Sequence, residues 1–437
     1  MAYFRYLLFC VVISLVFLLD HAACAQRAAL RTSDFSGSQL MSVMVETEDQ
    51  LKALLRLYEK DDFDFWGSPS MNDSANVLVT PDQRGKFNKF LDSFRLKGHV
   101  VIDDVYRVVR SQQKSLVNVR HATEMSWDAY HYPETIFSWM WQLESRFKKL
   151  AEVITIGYSY EEMPLEMLKI STGNSDQKYG VFIDGGIHAR EWISPAVATY
   201  IINELVKNSS VNADLLDTYD FYILPITNPD GYRHSCNYNR FWRKSRRSFS
   251  FLTDLVGCRG IDLNRNFAYH WKEWGAGFSP CSMIYAGSSA FSEPETRAIR
   301  DFVKTHSNIN WKFYFSLHSF GQVKGYTKER PQDYDEMLRV ANVGNDALYA
   351  VHGTRYRVGS IRETLYIASG TSSDWFKSIG VDYSYAIELR DYGIFGFLLP
   401  AYQIIPTSEE VWAGIRASLL DVRANEIIER LTRINRL

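Results

Sequence analysis

Two hydrophobic rhythms divide this chain. Between about residues 38 and 110 the pattern is compact. "LMSVMVE" (40–46) and "SANVLVT" (74–80) have the length and apolar content of strands, and "HVVIDDVYRVV" (99–109) reads as strand-like again. "EDQLKALLRLYEK" (48–60) and "KFNKFLDSFRLKG" (86–98) repeat apolar residues at helical spacing, the second ending at Gly98. Together they predict a small α+β domain of about 75 residues. Residues 111–124, "SQQKSLVNVRHATE", are polar with scattered cations and predict an exposed connector open to proteases.

From about Trp127 strands and helices alternate. "KYGVFIDG", "TYDFYILPIT", "NWKFYFSLHS" and "VDYSYAIELRD" read as strands, and "ISPAVATYIINELVKN" and "SEPETRAIRDFVKTH" as helices. Ser292-Glu293-Pro294-Glu295 predicts a capping box with proline in the first turn. "TSEEVWAGIRASLLDVRANEIIERL" predicts a long amphipathic helix. The pattern predicts an α/β domain with a buried, largely parallel sheet. Sites in such sheets gather beyond the carboxyl ends of strands.

Composition changes this picture little: 46% of the 437 residues are apolar, 23% are charged, and the formal charge is −2. Nothing global points to nucleic acid or an anionic membrane. The N-terminus changes it more. Arg5 precedes the apolar run Leu7–Leu19, too short for the ~18 residues of a membrane span. Ala23-Cys24-Ala25 follows, so residues 1–25 read as a secretory signal, with a membrane anchor as the alternative. Secretion makes a disulfide between Cys258 and Cys281 plausible and leaves Cys236 over, free and buried. It also gives meaning to the glycosylation sequons at Asn72 and Asn208.

"FIDGGIHAREWISPA" (182–196) then stands out. Gly185-Gly186 break a strand, and His188 and Glu191 follow. They are either two metal ligands or a polar loop. His318, at the end of the run "WKFYFSLH", supplies a third ligand or is a satisfied core histidine. Two imidazoles, one carboxylate and an open position make the catalytic zinc pattern. Glu388 sits in the apolar "YSYAIELRD", where a carboxylate needs a cation, a proton or a water to work on. It reads as a general base or as an ion-pair partner of Arg390. "RFWRKSRR" (240–247) reads alone as a solvated basic face, though Phe241 and Trp242 inside it point to an anchored cation.

These pieces in order resemble the metallocarboxypeptidase A/B family of zinc exopeptidases with a propeptide. The resemblance rests on "DGGIHAREWISPA", "NPDGY", "NRFWRKSR", "DLNRNF", "SLHSFGQ", "TLYIASGTSSDW", "ELRDYGIFGFLLP" and "QIIPTSEEVW", with "FDFW" in the small domain. It implies a mixed, largely parallel sheet flanked by helices, preceded by a ferredoxin-like α+β propeptide. It implies a propeptide over 26–118, cleavage near 114–120 with Arg120 favoured, and a catalytic domain over 119–437. It implies one zinc ion per chain on His188, Glu191 and His318, with Glu388 as general base and Arg243 polarising the scissile carbonyl. Arg190, Asn264, Arg265 and Tyr366 match residues on the path to the terminal carboxylate. Ser319, Phe320, Phe397, Ser373 and Ile361 match the walls of the substrate site. Asp262 matches a partner of the first zinc histidine, and Cys258–Cys281 a family disulfide.

The implied partners are peptide and protein C-termini, a trypsin-like activating protease and proteinaceous inhibitors. The implied state is a secreted monomer without membrane anchor or nucleic acid. Phe320 replaces the usual tyrosine, and the stretch between His318 and "GYT" is about four residues shorter than in the digestive members. Ser373, at the position that selects the substrate side chain, is uncharged, and Ile361 adds an apolar wall. Both point to aliphatic or aromatic C-termini. The alternatives are a basic or broad preference, with Glu329 brought in by the shortened loop, and a non-catalytic secreted peptide binder. A regulatory processing enzyme is a further contrast, but its usual C-terminal β domain is not expected here.

Overall fold

The structure, a computed structural model, describes residues 35–434 apart from 60–62, 68, 117–123, 174–177, 256, 327–329 and 361–367. The expected signal segment, Arg120, Glu329, Ile361 and Tyr366 lie outside the described residues.

The N-terminal unit is α+β. Strands β1 (Gln39–Met44), β2 (Asp64–Phe65), β3 (Ser74–Val79) and β4 (Lys97–Ile102) pair antiparallel in the order β2-β3-β1-β4. The helices Glu48–Glu59 and Arg84–Ser93 set Leu54, Leu57, Phe87 and Leu91 against Val43 and Val77 of the sheet. The expected strand over 99–109 divides in two. After β4, Asp104 accepts a hydrogen bond from Arg107 N–H (3.2 Å) and caps a helix over Val105–Ser115. Val105, Val109 and Gln112 are buried on one face of that helix, so the expected exposed connector begins with an ordered, partly buried turn. The helical spacing of these residues overrides the strand-like look of "YRVV".

The larger unit holds an eight-stranded mixed sheet. Its strands are β5 (Ala151–Tyr158), β6 (Pro164–Ile170), β7 (Tyr179–Asp184), β8 (Tyr219–Leu224), β9 (Asn310–Ser319), β10 (Val323–Tyr326), β11 (Arg357–Ser360) and β12 (Tyr383–Leu389). They lie in the order β11-β10-β12-β9-β7-β8-β6-β5. The central run β12-β9-β7-β8 is parallel, while β6 and β5 on one side and β10 on the other join antiparallel.

Both faces of the sheet are buried, as its near-continuous apolar strands require. Val181, Ile183, Phe313, Phe315 and Leu317 face the helices Pro133–Arg146, Ile193–Lys207, Tyr334–His352 and Ile404–Ile434. Phe182 and Tyr314, one residue out of phase, face the helices Pro294–Thr305 and Ser372–Ser378. Each such side chain removed from water contributes roughly 1.5–3 kcal/mol. The expected capping box does not form. Glu293 is the N-cap and makes no side-chain cap hydrogen bond. Asn266 does the work instead, its Oδ1 accepting from Glu293 N–H (3.1 Å) and Thr296 Oγ (2.8 Å). Cys258 and Cys281 are bonded, and Cys236 is a buried thiol. Asn72 and Asn208 are exposed. Among the described residues, no helix is long and apolar enough to cross a membrane.

Candidate active site

The site grows out of the carboxyl ends of three neighbouring parallel strands. β7 ends at Asp184 and the chain turns through Gly185-Gly186. Gly186 has φ +62°, and a Cβ on Gly185 would come within 2.9 Å of Ser194 O. Ser194 Oγ accepts from Gly186 N–H (3.0 Å) and donates to Glu191 O (2.9 Å), which sets the loop on the helix start. His188 and Glu191 ride on that loop. His318 is the last residue but one of β9, and Glu388 lies beside it on β12, paired with it in register.

The three expected ligands converge. His188 Nδ1 lies 2.8 Å from Glu191 Oε1, and His318 Nδ1 lies 3.2 Å from Glu191 Oε2 and 3.3 Å from His188 Nδ1. All three ligating atoms fall within 4.8 Å of one another. Donors each ~2.0–2.1 Å from one zinc at tetrahedral angles are separated by ~3.3 Å, so the set fits the ion. The outward nitrogens are already engaged: His188 Nε2 with Asp262 Oδ1 (3.1 Å), His318 Nε2 with Ser316 Oγ (3.0 Å).

Electrostatics follow this packing. Burial alone would raise Glu191, but His188 and His318 overcome it and hold its carboxyl well below the usual range. Asp262 is likewise held down against burial by Arg243 and then His188. Among the described residues Glu388 has no such hydrogen-bonded partner. Burial pushes it up to about 7, with His318 pulling it down and Glu191 pushing it further up. Arg390 does not neutralise it, because Arg390 Nε donates to Glu410 Oε1 (2.8 Å).

The "RFWRKSRR" cations are anchored in the protein. Arg243 donates through Nε (3.1 Å) and Nη2 (2.8 Å) to Asp262 Oδ2, and its Nη1 lies 3.8 Å from Glu191 Oε1. Arg240, which sequence reasoning did not single out, is fully buried 3.7 Å over the Trp192 ring. It donates to Arg190 O (2.7 Å) and to Phe397 O. Lys244 Nζ donates to Pro280 O (2.6 Å) and Ser282 O (3.0 Å).

Arg265 is buried, its plane fixed by bonds from Nε to Gly275 O and Nη1 to Asn264 O, both 2.8 Å. Asn264 Oδ1 accepts from Ser372 N–H (2.8 Å), beside the buried Ser373. Ser319 N–H donates to Glu191 Oε2 (3.1 Å). Phe320 and Phe397 pack edge to face at 5.0 Å, and Arg190 lies 4.1 Å over the Phe397 ring.

The small domain touches this cleft. Asp64 Oδ1 accepts from Arg190 Nη1 (3.3 Å), and Trp66 packs on Phe397 (5.2 Å) and Phe241 (4.9 Å). Asn76 Nδ2 donates to Gly393 O (2.9 Å). Gln112 bridges two groups, donating to Leu399 O (2.9 Å) and accepting from Arg240 Nε (3.1 Å).

Residues 136–414 match the zinc carboxypeptidase family, and residues 41–112 match the carboxypeptidase activation peptide. A carboxypeptidase B of Astacus astacus is 46% identical over 297 residues, covering 67% of this chain and 96% of its own. A carboxypeptidase A2 of Mus musculus is 38% identical over 404 residues, covering 89% of this chain and 94% of its own. The crystal structure of thrombin activatable fibrinolysis inhibitor aligns with TM-score 0.81 at 33% identity, covering 89% of this chain and 99% of that one.

Proposed function

This chain belongs to the zinc carboxypeptidase family and carries its activation peptide, and from that premise we propose a secreted enzyme that removes aliphatic or aromatic residues from the C-termini of peptides and proteins. It is a zinc metallocarboxypeptidase made as a zymogen. The observation that carries the reading is the convergence of His188, Glu191 and His318 beside Glu388, which pairs in register with His318 on the next strand.

Zinc, when bound by these three residues, supplies a Lewis acid that acidifies water and polarises a peptide carbonyl. The chain's own groups do the rest. The Glu388 carboxylate takes the proton of the attacking water and returns it to the leaving amine. Arg243, held in plane by Asp262, donates to the carbonyl oxygen as charge develops there. Arg265 and Asn264 hold the terminal carboxylate one residue beyond the scissile bond, which excludes internal bonds. Arg190 and Tyr366 serve its approach, and Ser319, Phe320 and Phe397 line the outer cleft.

Relatives of both A and B type match the chain, so the side-chain preference is argued from the pocket. Ser373 is buried and uncharged. A substrate lysine or arginine facing it would bury a cation without a counter-charge, at a cost of several kcal/mol. Ile361, by alignment, adds an apolar wall.

In this reading residues 1–25 direct secretion, 26–118 form the propeptide, and 119–437 form the mature enzyme. A trypsin-like protease cuts near 114–120, with Arg120 the favoured site. Proteinaceous inhibitors that present a C-terminus would enter the same cleft. Cutting the zymogen and comparing kcat/KM on substrates ending in Phe, Leu, Lys and Arg tests both levels. A clear lead for Lys or Arg would overturn the preference, and no hydrolysis of any of them would overturn the activity.

A further inference from the structure

We propose that Asp184 and Ser316 are positioning residues that dictate which nitrogen of His318 is presented to the metal. The inference rests on the reading of His318 as a ligand. Asp184 is the last residue of β7, fully buried, with its carboxylate beneath the site. Tyr314 OH donates to its Oδ2, and Ser316 Oγ donates to its Oδ1 (2.8 Å). A serine hydroxyl has one hydrogen. With that hydrogen directed at Asp184, Ser316 Oγ can only accept from His318 Nε2, 3.0 Å away. Nε2 therefore carries the ring hydrogen. The Nδ1 lone pair is left facing Glu191 Oε2 (3.2 Å) and His188 Nδ1 (3.3 Å), where the ion belongs.

One contact pulls the other way. Asn264 Oδ1 is fixed by Ser372 N–H, which turns Nδ2 to within 3.3 Å of His318 Nε2. Donation from that amide would favour the tautomer with hydrogen on Nδ1, which cannot ligate. The closer Ser316 contact, directed by a carboxylate, decides against it. His188 reaches the same end by a shorter route, with Nε2 on Asp262 Oδ1 (3.1 Å) and no intermediary. Both ligand imidazoles thus terminate on a buried carboxylate, one directly and one through a hydroxyl.

Asp184→Asn reverses the chain of hydrogen bonds. Tyr314 OH still donates, so the amide oxygen faces Tyr314 and the amide nitrogen faces Ser316. Ser316 then turns its hydrogen to His318 Nε2. The expected result is zinc affinity weakened by about 10–100-fold in chelator competition, with an altered visible spectrum of the cobalt(II)-substituted protein. Ser316→Ala, which deletes the relay, should weaken zinc similarly and carries the test if Asp184→Asn does not fold. Tyr314→Phe removes a hydroxyl but leaves the Ser316 link, and should bind zinc within about threefold of wild type. Melting temperatures of the metal-free variants separate folding damage from metal affinity. If Asp184→Asn or Ser316→Ala folds and binds zinc as tightly as wild type, the proposal is overturned. His318→Ala is the control for the premise: if it keeps zinc, the ligand assignment fails, whatever the relay does.

Discussion

Glu388 must be acidic enough to lose a proton and basic enough to take one. Its surroundings are set for the second demand, since burial pushes it up to about 7. Glu388→Gln should lower kcat about 10²–10⁴-fold with zinc content unchanged. Loss of zinc in that variant would show a ligand rather than a base. The base works only as the carboxylate, so activity should fall as pH drops through its pKa. A bound dication stabilises the carboxylate as His318 does, so the acid limb of kcat/KM should lie below 7. A profile flat from pH 5 to 8 would remove Glu388 from that role. At this scale the convergence of the candidate ligands was legible in the sequence because each follows an apolar strand run that breaks at a polar residue. Asp184, Ser316 and Arg240 were not. The first two are alternate-face positions in ordinary strands, and the third is one arginine in a basic cluster. Only tertiary packing brings them to the histidines and to Arg190.

Elements were read well where one periodicity ruled and poorly where two met. β4 and the helix after it run together in "HVVIDDVYRVV", and only the Asp104 cap divides them. The start of the helix Pro294–Thr305 was misread for a different reason. Its cap comes from Asn266, distant in sequence, and Glu295 is turned inward. Glu295 is fully buried, and burial, then Glu293, pushes it up to about 8. Its unfolded value is ~4.3, so between ~4 and ~8 the folded state holds more protons than the unfolded state. Its contribution to stability is therefore greatest below the unfolded value and is lost as pH rises toward 8. Glu295→Gln should remove that slope, stabilising the protein by about 3–4 kcal/mol more at pH 8 than at pH 5. Calorimetry at both values decides, and an equal difference at the two would refute it. The Cys258–Cys281 loop is the other element-scale tie. Cys281→Ala should cost ~3 kcal/mol in the chain-entropy model, read as a lower melting temperature.

Across the whole molecule the small domain meets the cleft through buried apolar residues, Trp66 and Phe35 among them, and several polar ones. Trp66 is 2% exposed, between Phe397 and Phe241, and the Asp64–Arg190 pair spans 3.3 Å with Arg190 buried and Asp64 largely so. Removing a buried tryptophan costs about 3–5 kcal/mol, and breaking a largely buried ion pair by removing one partner costs a similar amount. Uncut Trp66→Ala and uncut Asp64→Ala should therefore each hydrolyse small peptide substrates faster than uncut wild type. Equal rates for all three would mean that this contact does not govern access. The two-unit organisation was legible because a change of rhythm separates the units. The grip between them was not, because "FDFW" and Gln112 show no partner along the chain. The rung that joins His318 to Glu388 has a wider consequence. His318 and Glu388 sit side by side on neighbouring strands, spaced by the backbone ladder itself and not by any loop. Ser373, by contrast, lies in the short helix Ser372–Ser378 and not on a strand. If that position sets the side-chain preference as proposed, substitutions there should retune which residue is removed without moving the groups that the sheet holds.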